Sequence, residues 1–156
     1  MSDNAKMQIK SINRLYKQQD ELYHGLAVRF GLSDTALWVL YAVCSSDEPA
    51  TQYDLANSWC FPKQTVNSAI AALEKTGMIR LVPLPGARNR KNVLLTGAGD
   101  VFCSGTVLPL IRAEERALLR LSEGERQTFL LLMEKQLLCL REETEKAKQR
   151  KELPED

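Results

Sequence analysis

The chain has 156 residues, a net charge of +1 and 44% apolar residues. That is enough for one ordinary domain, or a small domain with helical extensions, and too little overall charge to coat nucleic acid along the whole surface. No apolar run reaches the roughly 18–20 residues of a membrane span, and the polar opening MSDNAKMQIK is no signal sequence, so the expected address is the cytoplasm, without membrane contact.

From about Lys6 to Phe30, Ile9, Ile12, Tyr16, Tyr23, Leu26 and Phe30 recur at helical spacing, and Gly31 stops the helix. Ser33 reads as the cap of the next helix, with Asp34 at its positive end. ALWVLYAVC is apolar on nearly every side, which predicts a helix buried between neighbours. SSDEPA breaks it. Thr51 with Asp54 resembles a capping box for a short helix that packs Leu55 and Ala56 inward. Pro62 suits the first turn of a further helix that runs to Gly77. MIRLV and NVLL read as strands around a loop with Pro85, Gly86 and three cations. Thr96 opens another helix. Ser122 and Glu125 form a capping box for a long last helix with a stripe of Phe129, Leu132, Met133, Leu137 and Leu140. Its tail frays at Leu153–Pro154.

This order predicts a mainly α chain with a small β-wing: a winged helix-turn-helix over residues 32–96, and helical dimerisation regions at 1–31 and 97–156. The long end helices have apolar faces that one small module cannot cover, and a second copy of the chain would.

At about 100° per residue, the helix from Pro62 to Gly77 turns Val66, Ala69, Ile70, Leu73 and Gly77 inward. Gln64, Ser68, Ala71 and Lys75 lie opposite, flanked by Thr65, Asn67 and Ala72. This small, polar surface fits a major groove about 12 Å wide. The amides of Gln64 and Asn67 can pair with adenine edges, and Lys63 and Lys75 can reach phosphates. Between Cys60 and Asn92 the charges are Lys63, Lys75, Arg80, Arg88, Arg90 and Lys91 against Glu74 alone. A near-neutral chain that gathers its positive charge here reads as a binder of double-stranded DNA. The candidate DNA-binding residues are Lys63, Gln64, Thr65, Asn67, Ser68, Lys75, Arg88, Arg90 and Lys91.

GLSDTALWVL, TQYDLA, KQTVNSAIAALEKTGMI, NVLLT and VLPLIRAEERALLRLSEGERQTFLLLMEKQL, in this order and spacing, resemble the MarR family of winged-helix transcriptional regulators over nearly the whole chain. The resemblance implies a homodimer on a pseudo-palindromic operator, a repressor's role, and release of DNA by a small aromatic effector. The sequence also departs from the family. The Asp-x-Arg of the family wing falls on Ala87 and Asn89, with Arg88 and Arg90 beside them. Ser68 stands where an Arg is common. Cys60–Phe61–Pro62 replaces a small polar helix cap.

Other patterns lead elsewhere. GAG after NVLLT lacks the third small residue and the βαβ setting of a dinucleotide site. His24 as sole histidine, and four cysteines without a CxxC pair, argue against a metal. No catalytic constellation stands out and no cofactor is expected. Tyr16, Tyr23 and His24 are candidates to line an effector pocket, with core packing as the competing reading. Cys60, near the start of the recognition helix, and Cys44 are candidate redox thiols, against a reading as bystanders. Two alternatives to an operator-binding regulator remain open: an interaction or ligand-sensing module that does not bind an operator, and a thiol-based sensor.

Overall fold

The computed structural model describes residues 3–58, 61–86, 90–151 and 154. The elements run α1 (Asp3–Arg29), α2 (Asp34–Ser45), β1 (Ala50–Thr51), α3 (Gln52–Ser58), α4 (Lys63–Lys75), β2 (Ile79–Pro83), β3 (Lys91–Leu95), α5 (Gly97–Gly105), α6 (Val107–Leu118) and α7 (Glu123–Gln149). The chain forms two compact units, Met1–Arg112 and Ala113–Asp156. No single helix among the described residues is long and apolar enough to cross a membrane.

The core lies entirely in the first unit, and α2 supplies its centre. Ser33 Oγ accepts the Ala36 amide at 3.2 Å and starts the helix. Ala36, Leu37, Val39, Leu40 and Ala42 are then all buried, as the all-round apolar pattern predicted. Val66, Ala69, Ile70 and Leu73 of α4, with Leu55 and Ala56 of α3, pack into the same cluster. Both glycine stops are built alike. Gly31 and Gly77 each have φ of +72°. After α1, the Gly31 and Leu32 amides bond to Val28 O at 3.0 Å and Ala27 O at 2.9 Å. After α4, those of Gly77 and Met78 bond to Glu74 O and Leu73 O, both at 2.9 Å. This paired closure needs a left-handed residue, which glycine adopts without a Cβ clash.

The sheet has the order β1-β3-β2, antiparallel throughout. Ile79 pairs with Leu95 and Pro83 with Lys91, so β2 and β3 form the wing hairpin. The two-residue β1 is an addition to the expected elements: Ala50 faces Val93 and Thr51 faces Asn92. Thr51 ends that strand and also caps α3, as its spacing to Asp54 predicted. Pro62 sits one residue before α4, at the cap rather than in the first turn, and its carbonyl accepts the Thr65 and Val66 amides.

A second difference follows Thr96. In place of one helix there are two, α5 and α6, broken at Thr106 (φ −130°, ψ −74°). Pro109 explains the break. It has no N–H to give to Gly105 O, and its ring would clash with that carbonyl in a continuous helix. Thr106 Oγ1 bonds back to Phe102 O at 2.7 Å and closes α5.

In the second unit, α7 opens with the expected capping box: Ser122 N donates to Glu125 Oε2 at 2.8 Å, and Glu125 N to Ser122 Oγ at 3.4 Å. None of its residues is buried. Phe129, Leu132, Met133, Leu137 and Leu140 are all exposed, and so are Leu130, Leu131 and Leu138. In the first unit, α1 likewise exposes Met7, Ile9, Ile12, Leu15 and Tyr16.

The start of α5 fits tightly against the end of α4. A Cβ on Gly99 would lie 1.9 Å from the Met78 carbonyl oxygen. Backbone cannot give way as a flexible side chain can. Gly99→Ala is therefore expected to cost about 2 kcal/mol or more in urea unfolding, and an unchanged midpoint would contradict this packing.

Candidate nucleic-acid interface

The amphipathic pattern of α4 buries one face and leaves Gln64, Thr65, Asn67, Ser68, Ala71, Ala72 and Lys75 exposed on the other. Ser68 Oγ donates to the Gln64 carbonyl at 3.0 Å, so its hydroxyl proton is used within the helix and its lone pairs face outward. Pro62 gives α4 no side-chain cap. With the Thr65 and Val66 amides on the Pro62 carbonyl, the positive end of the helix dipole at Lys63 and Gln64 has no side-chain cap and favours an anion.

Beside this end of α4 lies a cavity of about 190 Å³, walled by Thr51, Gln52, Tyr53, Lys63, Asn67, Arg90 and Lys91. Tyr53 stands at its centre. Its ring carries Lys63 Nζ at 5.3 Å and Arg90 Cζ at 5.2 Å from the centroid. Two cations, one from α4 and one from the wing, thus share one aromatic ring, and their mutual repulsion is partly offset by its electron-rich faces. The wing loop is closed by Leu84 N donating to Arg90 O at 2.9 Å. Lys91 begins β3, opposite Pro83.

Asp54 is the counterweight. Its Oδ2 accepts from Thr51 Oγ1 at 2.6 Å and from Thr51 N at 3.0 Å. These hydrogen bonds, helped by the charge of Arg90, hold its carboxyl below the usual range. One carboxylate therefore caps α3 and partly balances the cation that borders the cavity.

The structure brings Lys63, Asn67, Arg90 and Lys91 to one cavity, with Gln64, Thr65 and Ser68 exposed on the same helix. Lys75 lies in the last turn of α4, where it suits the negative helix end, and is not part of the cavity wall. Arg88 and Cys60 lie outside the described residues. Arg80, counted above with the basic cluster, lines a different cavity of about 330 Å³ together with Asp47, Glu48 and Asp100. Its charge there is set among carboxylates. Tyr53, Thr51 and Gln52 are additions to the predicted residues. The one sequence signal for them was an aromatic side chain in the first turn of α3, just before a basic segment.

The other candidates are spread out. The Tyr23 ring packs tilted against Trp38, centroids 4.7 Å apart, and Trp38 against Tyr41, 5.3 Å apart. His24 Nδ1 lies 2.9 and 3.1 Å from the two Asp34 carboxylate oxygens, joining α1 to the start of α2. Tyr16 is exposed further up α1. The two cavities above are lined by other residues. Among the described residues no group of three metal-capable side chains occurs.

Residues 30–88 match the model of the MarR family. AbsC, a MarR family transcriptional regulator from Streptomyces coelicolor, superposes with a TM-score of 0.75 at 17% identity, over 90% of this chain and 97% of that one. The chain has the MarR winged-helix fold, and residues 30–88 fit that family's sequence pattern. Other MarR-type folds superpose over similar lengths. Staphylococcus aureus MepR, solved in complex with DNA, gives 0.62 at 19% identity, over 90% of this chain and 98% of its own. Staphylococcus aureus MarR, solved with salicylate and kanamycin, gives 0.66 at 15%, over 89% and 93%. No curated protein matches the chain in sequence. Within this MarR-family fold, α3 and α4 form the helix-turn-helix and β2–β3 the wing.

The lowered carboxyl of Asp54 makes a pH prediction. A carboxylate with a depressed folded-state pKa adds stability above its unfolded value, near 4, and loses it as pH falls through the folded value. Urea unfolding of the parent and Asp54→Asn should differ at pH 6 and converge by about pH 2–3. An equal difference at both pH values would rule out ionised Asp54 as the cap.

Proposed function

We propose that this protein is a homodimeric, sequence-specific DNA-binding regulator of transcription. The observation that carries this is the continuity of two surfaces. The small polar face of α4 adjoins a cavity where Lys63, Arg90 and Lys91 converge around Tyr53. The first surface suits base edges in a major groove and the second suits backbone phosphate.

In this reading α4 enters the groove. Gln64 and Asn67 read base edges, while Thr65, Ser68 and the alanine methyls offer small contacts. Lys63, Arg90 and Lys91 hold phosphates, joined by Arg88 from the wing and by Lys75 at the far end of α4. Residues 32–96 are the reading module, and the apolar faces of the chain ends pair with those of a second copy. A 27-residue helix with no buried residue is a poor structure alone, and a partner helix completes it. MepR has been solved with DNA and MarR with salicylate. Both are in keeping with this reading, in which the protein represses its target and a small aromatic effector relieves that repression. A regulator acting on DNA in this way would work in the cytoplasm.

The test uses salt. On a mixed-sequence duplex, Arg90→Ala should bind more weakly and reduce the slope of log K against log salt by about 1, as expected for one lost phosphate contact. On a preferred site, Asn67→Ala should lose about 1–3 kcal/mol of discrimination at one base pair and keep the parent's salt slope. An unchanged slope in the Arg90 variant would remove the wing from the interface. Unchanged base preference in the Asn67 variant would remove α4 from the groove.

A further inference from the structure

The Tyr53 side chain has no part in the core. It is 47% exposed and stands outside the apolar cluster. Its backbone, in contrast, is fixed on several sides. Thr51 and Asp54 cap the start of α3, so Tyr53 lies in the first turn. Thr51 also pairs with Asn92, two residues beyond Arg90, which sets the head of α3 beside the exit of the wing. The Phe61 amide bonds to Ala56 O at 3.1 Å and turns the chain toward α4, where Lys63 is the first residue. Leu84 N on Arg90 O, at 2.9 Å, fixes the backbone of Arg90.

These backbone bonds bring three residues from separate elements together. They do not fix the charged ends of Lys63 and Arg90, which sit on long, exposed side chains. The ring does. Lys63 Nζ lies 5.3 Å and Arg90 Cζ 5.2 Å from its centroid, both within cation–π range.

We propose that Tyr53 is a positioning residue: its ring holds Lys63 and Arg90 where a DNA backbone phosphate meets them, so that the head of α4 and the wing bind as one unit. This rests on the DNA-binding reading. A free lysine or arginine loses rotamer freedom when a phosphate fixes it. An end already held on a ring has less freedom left to lose, and binding is stronger by that difference. The electron-rich ring also lets two like charges share one small space. Lys91 joins them in the cavity wall, whose described residues include no carboxylate. The local field there is therefore positive in a chain of net charge +1.

Two consequences separate positioning from a merely structural role. The aromatic face is what matters, so phenylalanine should serve and leucine, of similar bulk, should not. The ring acts only through the two cations, so its removal should have no effect once both are gone. The salt slope should also stay near the parent's in Tyr53→Leu, because both cations can still reach phosphate.

The experiment measures Kd on a mixed-sequence duplex over a range of low salt concentrations. Tyr53→Phe should bind within about twofold of the parent, and Tyr53→Leu about tenfold more weakly, the effect of two exposed cation–π contacts. In a Lys63→Ala, Arg90→Ala background, Tyr53→Leu should change nothing further. Parent-like binding by Tyr53→Leu would overturn the proposal. So would equal losses in Tyr53→Phe and Tyr53→Leu, or an undiminished loss in the background without the cations. A second readout needs no DNA. In the NMR spectrum of the free protein, the Lys63 ε and Arg90 δ protons should be shifted upfield by the ring in the parent and in Tyr53→Phe, and not in Tyr53→Leu. Absence of these shifts in the parent would overturn the positioning itself. Their presence in a parent that binds no duplex would instead contradict the DNA-binding reading, and the phosphate role with it.

Discussion

Helix α4 ends at a single backbone junction, and the positions of the wing and of α5 follow from that junction. Gly77, at φ +72°, lets the Gly77 and Met78 amides fold back on Glu74 and Leu73. The chain then enters β2 at once. When β3 returns, Thr96 donates its amide to Met78 O at 3.0 Å and its hydroxyl to Gly77 O. The same hydroxyl accepts the Gly99 amide and starts α5. One threonine thus ties the end of α4, the exit of the wing and the head of α5 together. Gly99 permits this because it has no Cβ to strike Met78. The relation of helix to wing is set by hydrogen bonds and close backbone packing, not by the wing loop's own composition.

That rigidity explains how a chain of net charge +1 can present a basic surface. The cations are not numerous, but they are placed. Lys63 and Arg90 come from different elements and meet over Tyr53, which lies on a third. Arg80 shows the converse. It belongs to the same stretch of sequence, yet its position in β2 puts it beside Asp47, Glu48 and Asp100. Local charge density is what a phosphate responds to, and it arises here from geometry rather than from composition.

Features governed by near neighbours in the chain were legible beforehand. The faces of α4 follow from helical periodicity, and the caps at Ser33, Thr51, Thr96 and Ser122 each depend on the residue three positions on. The order of elements and the family resemblance were legible for the same reason. Features that depend on distant partners were not. β1 is a strand only because Val93 and Asn92 come alongside it. Tyr53 is a site residue only because the wing delivers Arg90 to its ring. The break before α6 was missed: one helix was expected after Thr96, and the effect of Pro109 falls four residues upstream, at Gly105, where the pattern reads as helix.

The central claim is that α4 and the wing form one surface that reads DNA sequence, presented twice by a symmetric pair of chains. The most direct test is selection of genomic fragments by the purified protein at about physiological salt, followed by sequencing. The account predicts recovery of a shared inverted repeat, with half-sites about one helical turn apart, roughly 34–36 Å. Recovery of fragments with no common sequence would contradict it and would favour a module that senses a ligand or a protein partner without reading DNA.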